Sequence, residues 1–230
     1  MGVGQAEMMK KTGHAVVGTE WCASGEEVLR LWQPACSWVA HVSRLQGAAA
    51  SHSHDIGIEE PLFSIVNPPC FSFRCHNLLL RHDTLPVLST TRKCLSLKKV
   101  TSVYRGESSN GGGASLLFTV RLAHVLQCST NLHVFLETPS SNSSPMKATG
   151  RVPDYKVKAS CFRNDLTIIR NDGAVVATAQ HKCSFSSLFL SKPSYKIVVY
   201  PGADKAFITI LVAIQDNLRR KMHGNAGGGP

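Results

Sequence analysis

The chain has 230 residues, of which 43% are hydrophobic, and a formal net charge of +10 at pH 7. That apolar fraction excludes a wholly disordered polar chain, and the length suffices for one large buried core or two small ones. The charge is divided: residues 1–60 carry four Lys and Arg against seven Asp and Glu, whereas residues 61–230 carry 21 against eight. A mildly acidic segment therefore precedes a strongly basic one, and a basic surface suits an anionic lipid leaflet, nucleic acid or an acidic protein.

Residues 1–60 carry a helical pattern. Ser24 followed by Glu27 resembles a capping box, and Val28, Leu29, Leu31 and Trp32 form one apolar stripe behind it. A second helical turn is expected to restart at Pro34 and run through Trp38, Val39, Val42 and Leu45, before a small, polar linker at Ala48–His54. The predicted division is a divergent, partly helical or disordered segment at 1–60, an irregular connection at 61–80, a β-rich domain at 81–218 and a disordered tail at 219–230.

From Leu78 onward the pattern is that of strands. Short alternating or β-branched runs lie at Pro86–Thr91, Cys94–Leu97, Thr101–Arg105, Leu116–Leu122, Leu132–Thr138, Tyr155–Cys161, Leu166–Arg170, Ala174–Ala179 and Tyr195–Tyr200. The spacing predicts an antiparallel sandwich or barrel. Asn171-Asp172-Gly173 marks a tight hairpin, since Asp-Gly supplies the positive φ angles such a turn needs. Glu107–Ala114 and Pro139–Gly150 read as loops. A Pro201-Gly202 turn then leads to a helix at Ala206–Ile214 with no polar face, because Phe207, Ile208, Ile210, Leu211, Val212 and Ile214 point all round its axis. Such a helix must be enclosed. At the helical rise its nine residues reach about 14 Å, too short for a bilayer.

The order of strands followed by an enclosed helix resembles the plant LURP-one-related family, whose members share the tubby C-terminal fold with phospholipid scramblases. Pro86-Val87-Leu88-Ser89 leading into Arg92-Lys93-Cys94-Leu95-Ser96-Leu97 is similar to the family's "PLLSIRRKKLSL" stretch. Val103-Tyr104-Arg105-Gly106-Glu107, Leu117-Phe118-Thr119-Val120-Arg121, Tyr155–Phe162, Gly173–Ala177 and Tyr195–Asp204 follow in the family's order. The resemblance implies a closed barrel of about twelve antiparallel strands around the C-terminal helix. Nothing in residues 1–77 resembles the family's opening runs, "TVW.KSLLF", "GFTVFD" and "GNLVFRVDNY". The barrel is therefore expected to be incomplete, as in a divergent or misassembled member, with two open edges and one flank of the helix uncovered.

Chemistry is sparse. Cys70, Cys75, His76 and His82 lack zinc-knuckle spacing, and the His52 and His54 pair sits in the linker, so no metal or other cofactor is expected. No nucleophile elbow or phosphate-binding loop is present, and the Asp residues fall at turns or element ends, where they cap or stay wet. Eight scattered cysteines without CxxC pairs suggest reduced thiols in the cytosol or nucleus, and the Met1–Ala6 start reads as neither a secretion signal nor a myristoylation site. The Asn142-Ser143-Ser144 sequon then counts as loop composition.

The basic residues remain. Arg92, Lys93, Lys98 and Lys99 flank one apolar run and are the candidate contacts for anionic lipid headgroups. Arg219-Arg220-Lys221 is expected to cap the negative end of the helix dipole. The resemblance implies a non-enzymatic binding or tethering module, tied in plants to defence, acting as a monomer on phospholipid headgroups or a protein partner. Lipid scrambling ranks below it, because the apolar run is short and ends in Gln215-Asp216. Nucleic-acid binding ranks lower still.

Overall fold

The computed structural model describes residues 15–32, 37–44, 60–66, 74–81, 85–93, 100–106, 115–126, 129–137, 151–160, 165–182 and 194–224. They form β1 (Glu27–Trp32), β2 (Ser37–Arg44), β3 (Glu60–Val66), β4 (Arg74–Arg81), β5 (Pro86–Lys93), β6 (Val100–Arg105), β7 (Leu116–Leu126), β8 (Ser129–Leu136), β9 (Tyr155–Ser160), β10 (Asp165–Arg170), β11 (Val175–Lys182), β12 (Ser194–Val199) and α1 (Lys205–Gly224). Each strand pairs antiparallel with its neighbours in the chain, and β12 closes onto β1, so the sheet is a complete barrel.

Alternation dictates which side chains enter. In β9, Tyr155 and Val157 are buried while Lys156 and Lys158 face solvent. One register row runs Leu132, Val157, Ile168, Ala177 and Val199 across β8 to β12, and all five are fully buried. The same row continues to Glu27 at the start of β1.

A barrel of eight strands is filled by its own side chains, and the bore widens with strand number. Twelve leave room for a helix about 10–12 Å across. α1 fills that bore: every residue from Ala206 to Asp216 is buried, polar Thr209, Gln215 and Asp216 included. Phe207 meets Phe118 of β7 edge-on at 5.1 Å and Tyr155 of β9 at 4.8 Å. A large apolar side chain buried this way contributes about 1.5–3 kcal/mol. No described helix is long and apolar enough to cross a membrane.

The expectations for the first eighty residues are corrected. The segment read as a capped helix from Ser24 is β1, because Leu29 and Leu31 enter the core while Arg30 between them is exposed, a period of two that pairing with β12 and β2 fixes. Ser37–Arg44, read as a second helical turn, is β2. The supposed irregular connection at 61–80 supplies most of β3 and β4, and Pro61 is tolerated beside the register shift between β2 and β3. These strands complete the barrel that was expected to be open. Among the later runs, Cys94–Leu97 and both predicted loops lie outside the described residues, as does the Ala48–His54 linker. The Asn171-Asp172-Gly173 hairpin is present, with Gly173 at φ +90°, and Gly202 of the Pro201-Gly202 turn has φ +77°.

Candidate functional site

With the bore occupied, a partner meets the barrel at its ends or on its outer wall. At the end where α1 begins, Asp204 organises the closure. Its Oδ1 accepts the Phe207 N–H at 3.1 Å as an N-cap, and its Oδ2 accepts the backbone N–H groups of Val16 at 3.1 Å, Val17 at 2.7 Å and Gly18 at 3.3 Å. The segment before β1 is thereby strapped across the helix start. Trp21 packs against Phe63 with centroids 5.0 Å apart and the rings tilted by 53°, and Ala23 N–H donates to Ala203 O at 2.9 Å. Below the strap, Lys205 Nζ lies 3.0 Å from Glu27 Oε2. Burial, aided by Asp204 and Glu20, raises the Cys22 thiol, which keeps it protonated.

At the far end, Asp216 is fully buried. Its Oδ1 accepts the Tyr195 hydroxyl at 2.7 Å, and Arg219 and Arg220 of the next turn pair with it. Burial, with Asp216 beside it, holds the Tyr195 hydroxyl far above its ordinary range, so it remains a donor. The His181 ring packs edge-on to Tyr195 at 4.9 Å, and its pKa is lowered by burial and by Arg219. Asp216 is therefore not the wet carboxylate expected, and the two arginines sit inside a helix that continues to Gly224 instead of capping its end.

Odd-numbered strands run from the Lys205 end toward this far end, since β1 begins at Glu27 and β12 begins beside Tyr195. β5 thus delivers Arg92 and Lys93 to the end where Arg219 and Arg220 emerge. Arg92 is half-buried, in register with the buried Thr101, and its Nε has no hydrogen-bond partner among the described residues. Lys98 and Lys99, in the short connection to β6, lie outside the described residues, and the side chain of Lys93 is likewise not described. Of the four predicted contacts, Arg92 and Lys93 end β5 at this end of the barrel, and only Arg92 is placed in detail. Cys70 and His82 lie outside the described residues; Cys75 and His76 belong to β4, with side chains that are not described. No group of three potential metal ligands occurs among the described residues.

A row of basic side chains on the wall has no local signal in the sequence. Arg121 of β7 is in register with His133 of β8, and His133 with Lys156 of β9. Their common face is visible only once three strands are aligned.

A sequence model of the LURP-one-related family matches residues 51–216. The chain belongs to the LURP-one-related family. Protein LURP-one-related 15 of Arabidopsis thaliana is 31% identical over 157 residues, 68% of each chain. Protein LURP-one-related 10 of the same plant is 30% identical over 71% of this chain and 76% of its own. A crystal structure of an Arabidopsis thaliana protein superposes with a TM-score of 0.63 at 22% identity, covering 90% of this chain and all of that one, which shows the fold. The LURP-one-related match begins after β2, so β1 and β2, the strands that close this barrel, lie outside it.

Proposed function

We propose that this LURP-one-related chain is a non-enzymatic barrel that tethers to anionic membrane surfaces, in the plant-defence setting that the family resemblance implies. One observation carries the reading: the antiparallel order brings the end of β5, with Arg92 and Lys93, to the barrel end where Arg219 and Arg220 leave the bore. Each cation near an anionic leaflet contributes about 1 kcal/mol, so a group of this size suffices for reversible attachment. Asp216, an acidic residue on that end, is buried and bonded.

The carboxylates support a binding role over catalysis. Asp204 caps α1, Asp216 holds Tyr195, Asp154 accepts the Leu136 N–H, and Asp172 holds the hairpin turn. Lipid translocation by α1 is disfavoured, because leaving the bore would separate the largely buried Lys205 from Glu27 and the buried Asp216 from Tyr195.

Flotation with vesicles containing a phosphoinositide tests the reading. The chain is expected to float at low salt and to sink as salt rises. Arg92, Lys93, Lys98 and Lys99 changed together to Glu should abolish flotation while circular dichroism stays unchanged. Failure of the unmodified chain to float at low salt would sink the proposal.

A further inference from the structure

β5 changes from apolar to polar as it approaches the far mouth. Leu88, fully buried opposite Leu79, faces the bore, and the alternation along the strand places Thr90 and Arg92 on the same side. Register confirms the direction of Arg92. It stands opposite Thr101 of β6, which stands opposite Val120 of β7, and those two are only 5% and 1% exposed. Directly opposed residues of an antiparallel pair share a face, so the Arg92 side chain turns into the mouth and not out from the wall.

This guanidinium is half-buried, and its Nε is buried with no hydrogen-bond partner among the described residues. A buried charged donor left unpaired costs free energy, so an acceptor is missing here. The surroundings supply no counter-charge. The register partners are Cys75 and Thr101, and the sequence linking the strand ends of this mouth, at 33–36, 67–73, 94–99, 127–128, 161–164 and 183–193, contains no Asp or Glu. Asp216 is engaged elsewhere: it accepts the Tyr195 hydroxyl and pairs with Arg219 and Arg220, and β12 lies five strands from β5 in the ring of twelve. Three guanidiniums, those of Arg92, Arg219 and Arg220, thus stand at this mouth with one carboxylate, Asp216, between them.

We propose that Arg92 heads a site inside the far mouth for a phosphate monoester, carried by a lipid headgroup or by a soluble ester. A phosphate monoester brings close to two negative charges at neutral pH and three acceptor oxygens, which matches the excess of two guanidiniums. A carboxylate or a phosphodiester brings one charge and leaves the mouth positive. The planar guanidinium fork takes a phosphoryl group through two parallel bonds, and the unpaired Nε is one edge of that fork. Because Arg92 is half-buried, a small group reaches it and the surface of a folded partner does not. The lipid form of this proposal rests on the membrane reading and names its headgroup; the soluble form stands without it.

The test follows the arginine Nε–H signals of the full chain by NMR, with that of Arg92 identified by its loss in Arg92→Lys. Inorganic phosphate and glycerol 3-phosphate should shift this signal saturably, whereas dimethyl phosphate and acetate at equal ionic strength should not. Arg92→Met should weaken glycerol 3-phosphate binding by about tenfold or more. Its urea midpoint should equal or exceed that of the parent, since the change removes an unpaired buried donor. Vesicles then separate the two sources. For a headgroup, phosphatidic acid should be preferred to phosphatidylglycerol at equal surface charge, and Arg92→Met should float on both alike. Saturable shifts without that preference assign the site to a soluble ester. An Arg92 signal that phosphate leaves in place, or that dimethyl phosphate moves equally, overturns the proposal, and flotation on both vesicles in that case leaves the membrane reading standing. A fall in the urea midpoint of Arg92→Met also overturns it, by making the guanidinium a structural group.

Discussion

Glu27 and Lys205 form an ion pair, 3.0 Å long with side chains only 2% and 12% exposed, between the first residue of β1 and the first residue of α1. Glu27 follows Val199 in the register row that begins at Leu132, so a carboxylate stands beside five successive apolar positions. Its presence there is explained by Lys205, which must pass the same mouth as the helix enters. Buried pairs of this kind fix arrangement more than they add stability.

Glu27→Gln should therefore destabilise the chain by about 3 kcal/mol, because the buried ammonium loses its counter-charge. The midpoint of urea unfolding should fall with its slope unchanged. Replacing both residues, as Glu27→Leu with Lys205→Met, should recover most of the loss. A single variant as stable as the parent would show that the pair contributes nothing.

Tyr195→Phe removes the one hydroxyl that ties β12 to Asp216. A hydrogen bond to a charged group contributes about 1.5–3 kcal/mol, which at about 2–4 °C per kcal/mol for a chain of this size should lower the melting temperature by roughly 3–12 °C. Combined with Asp216→Ala, the loss should be smaller than the sum of the two, since both changes remove one interaction. Strict additivity would place the contribution of Tyr195 in its packing against His181 instead.

Acidification should act through His181. Burial first, and then Arg219, lowers its pKa below the ordinary value near 6.5, with Asp216 opposing. The unfolded chain accordingly takes up the proton more readily than the folded one. Stability falls as the pH drops through about 6.5 toward the depressed folded value, and is regained above it. Urea midpoints at pH 7.5 and pH 5.5 should differ less for His181→Gln than for the parent chain, and an equal difference would assign the effect to other histidines.

The later strands were legible because each has its own local signal: Lys156 and Lys158 alternate with Tyr155 and Val157, and Asp172-Gly173 sets its own hairpin. Enclosure of α1 was legible from its apolar surface, although its length was not, since Asp216, Arg219 and Arg220 resemble a helix end until Tyr195 is seen to cover Asp216. The first four strands were obscured by competing local patterns. Ser24 and Glu27 do approach each other, with Ser24 Oγ donating to Glu27 Oε1 at 3.4 Å, but at the threshold of a strand and not at a helix cap. What decides the matter is pairing with β12, some 170 residues away in the chain, which no local window contains. The Arg121, His133 and Lys156 row was hidden for the same reason, because register and not sequence spacing brings it together.

Asp204 offers the sharpest test of how the barrel mouth is sealed. One carboxylate both caps α1 through Phe207 and holds three successive amides of the strap, so Asp204→Ala should lose a cap and release those amides together, at a total of roughly 2 kcal/mol or more. Hydrogen exchange resolves the two contributions. Protection at Val16, Val17 and Gly18 should disappear in Asp204→Ala, whereas protection in β7 and β8 should fall only in step with global stability. Deleting residues 1–18 should cost less than Asp204→Ala, since it spares the cap on Phe207, and should add little to Asp204→Ala when the two are combined. If the three amides stay protected in Asp204→Ala, the strap is held instead by Trp21 on Phe63 and by the Ala23 hydrogen bond, and Asp204 acts on the helix alone.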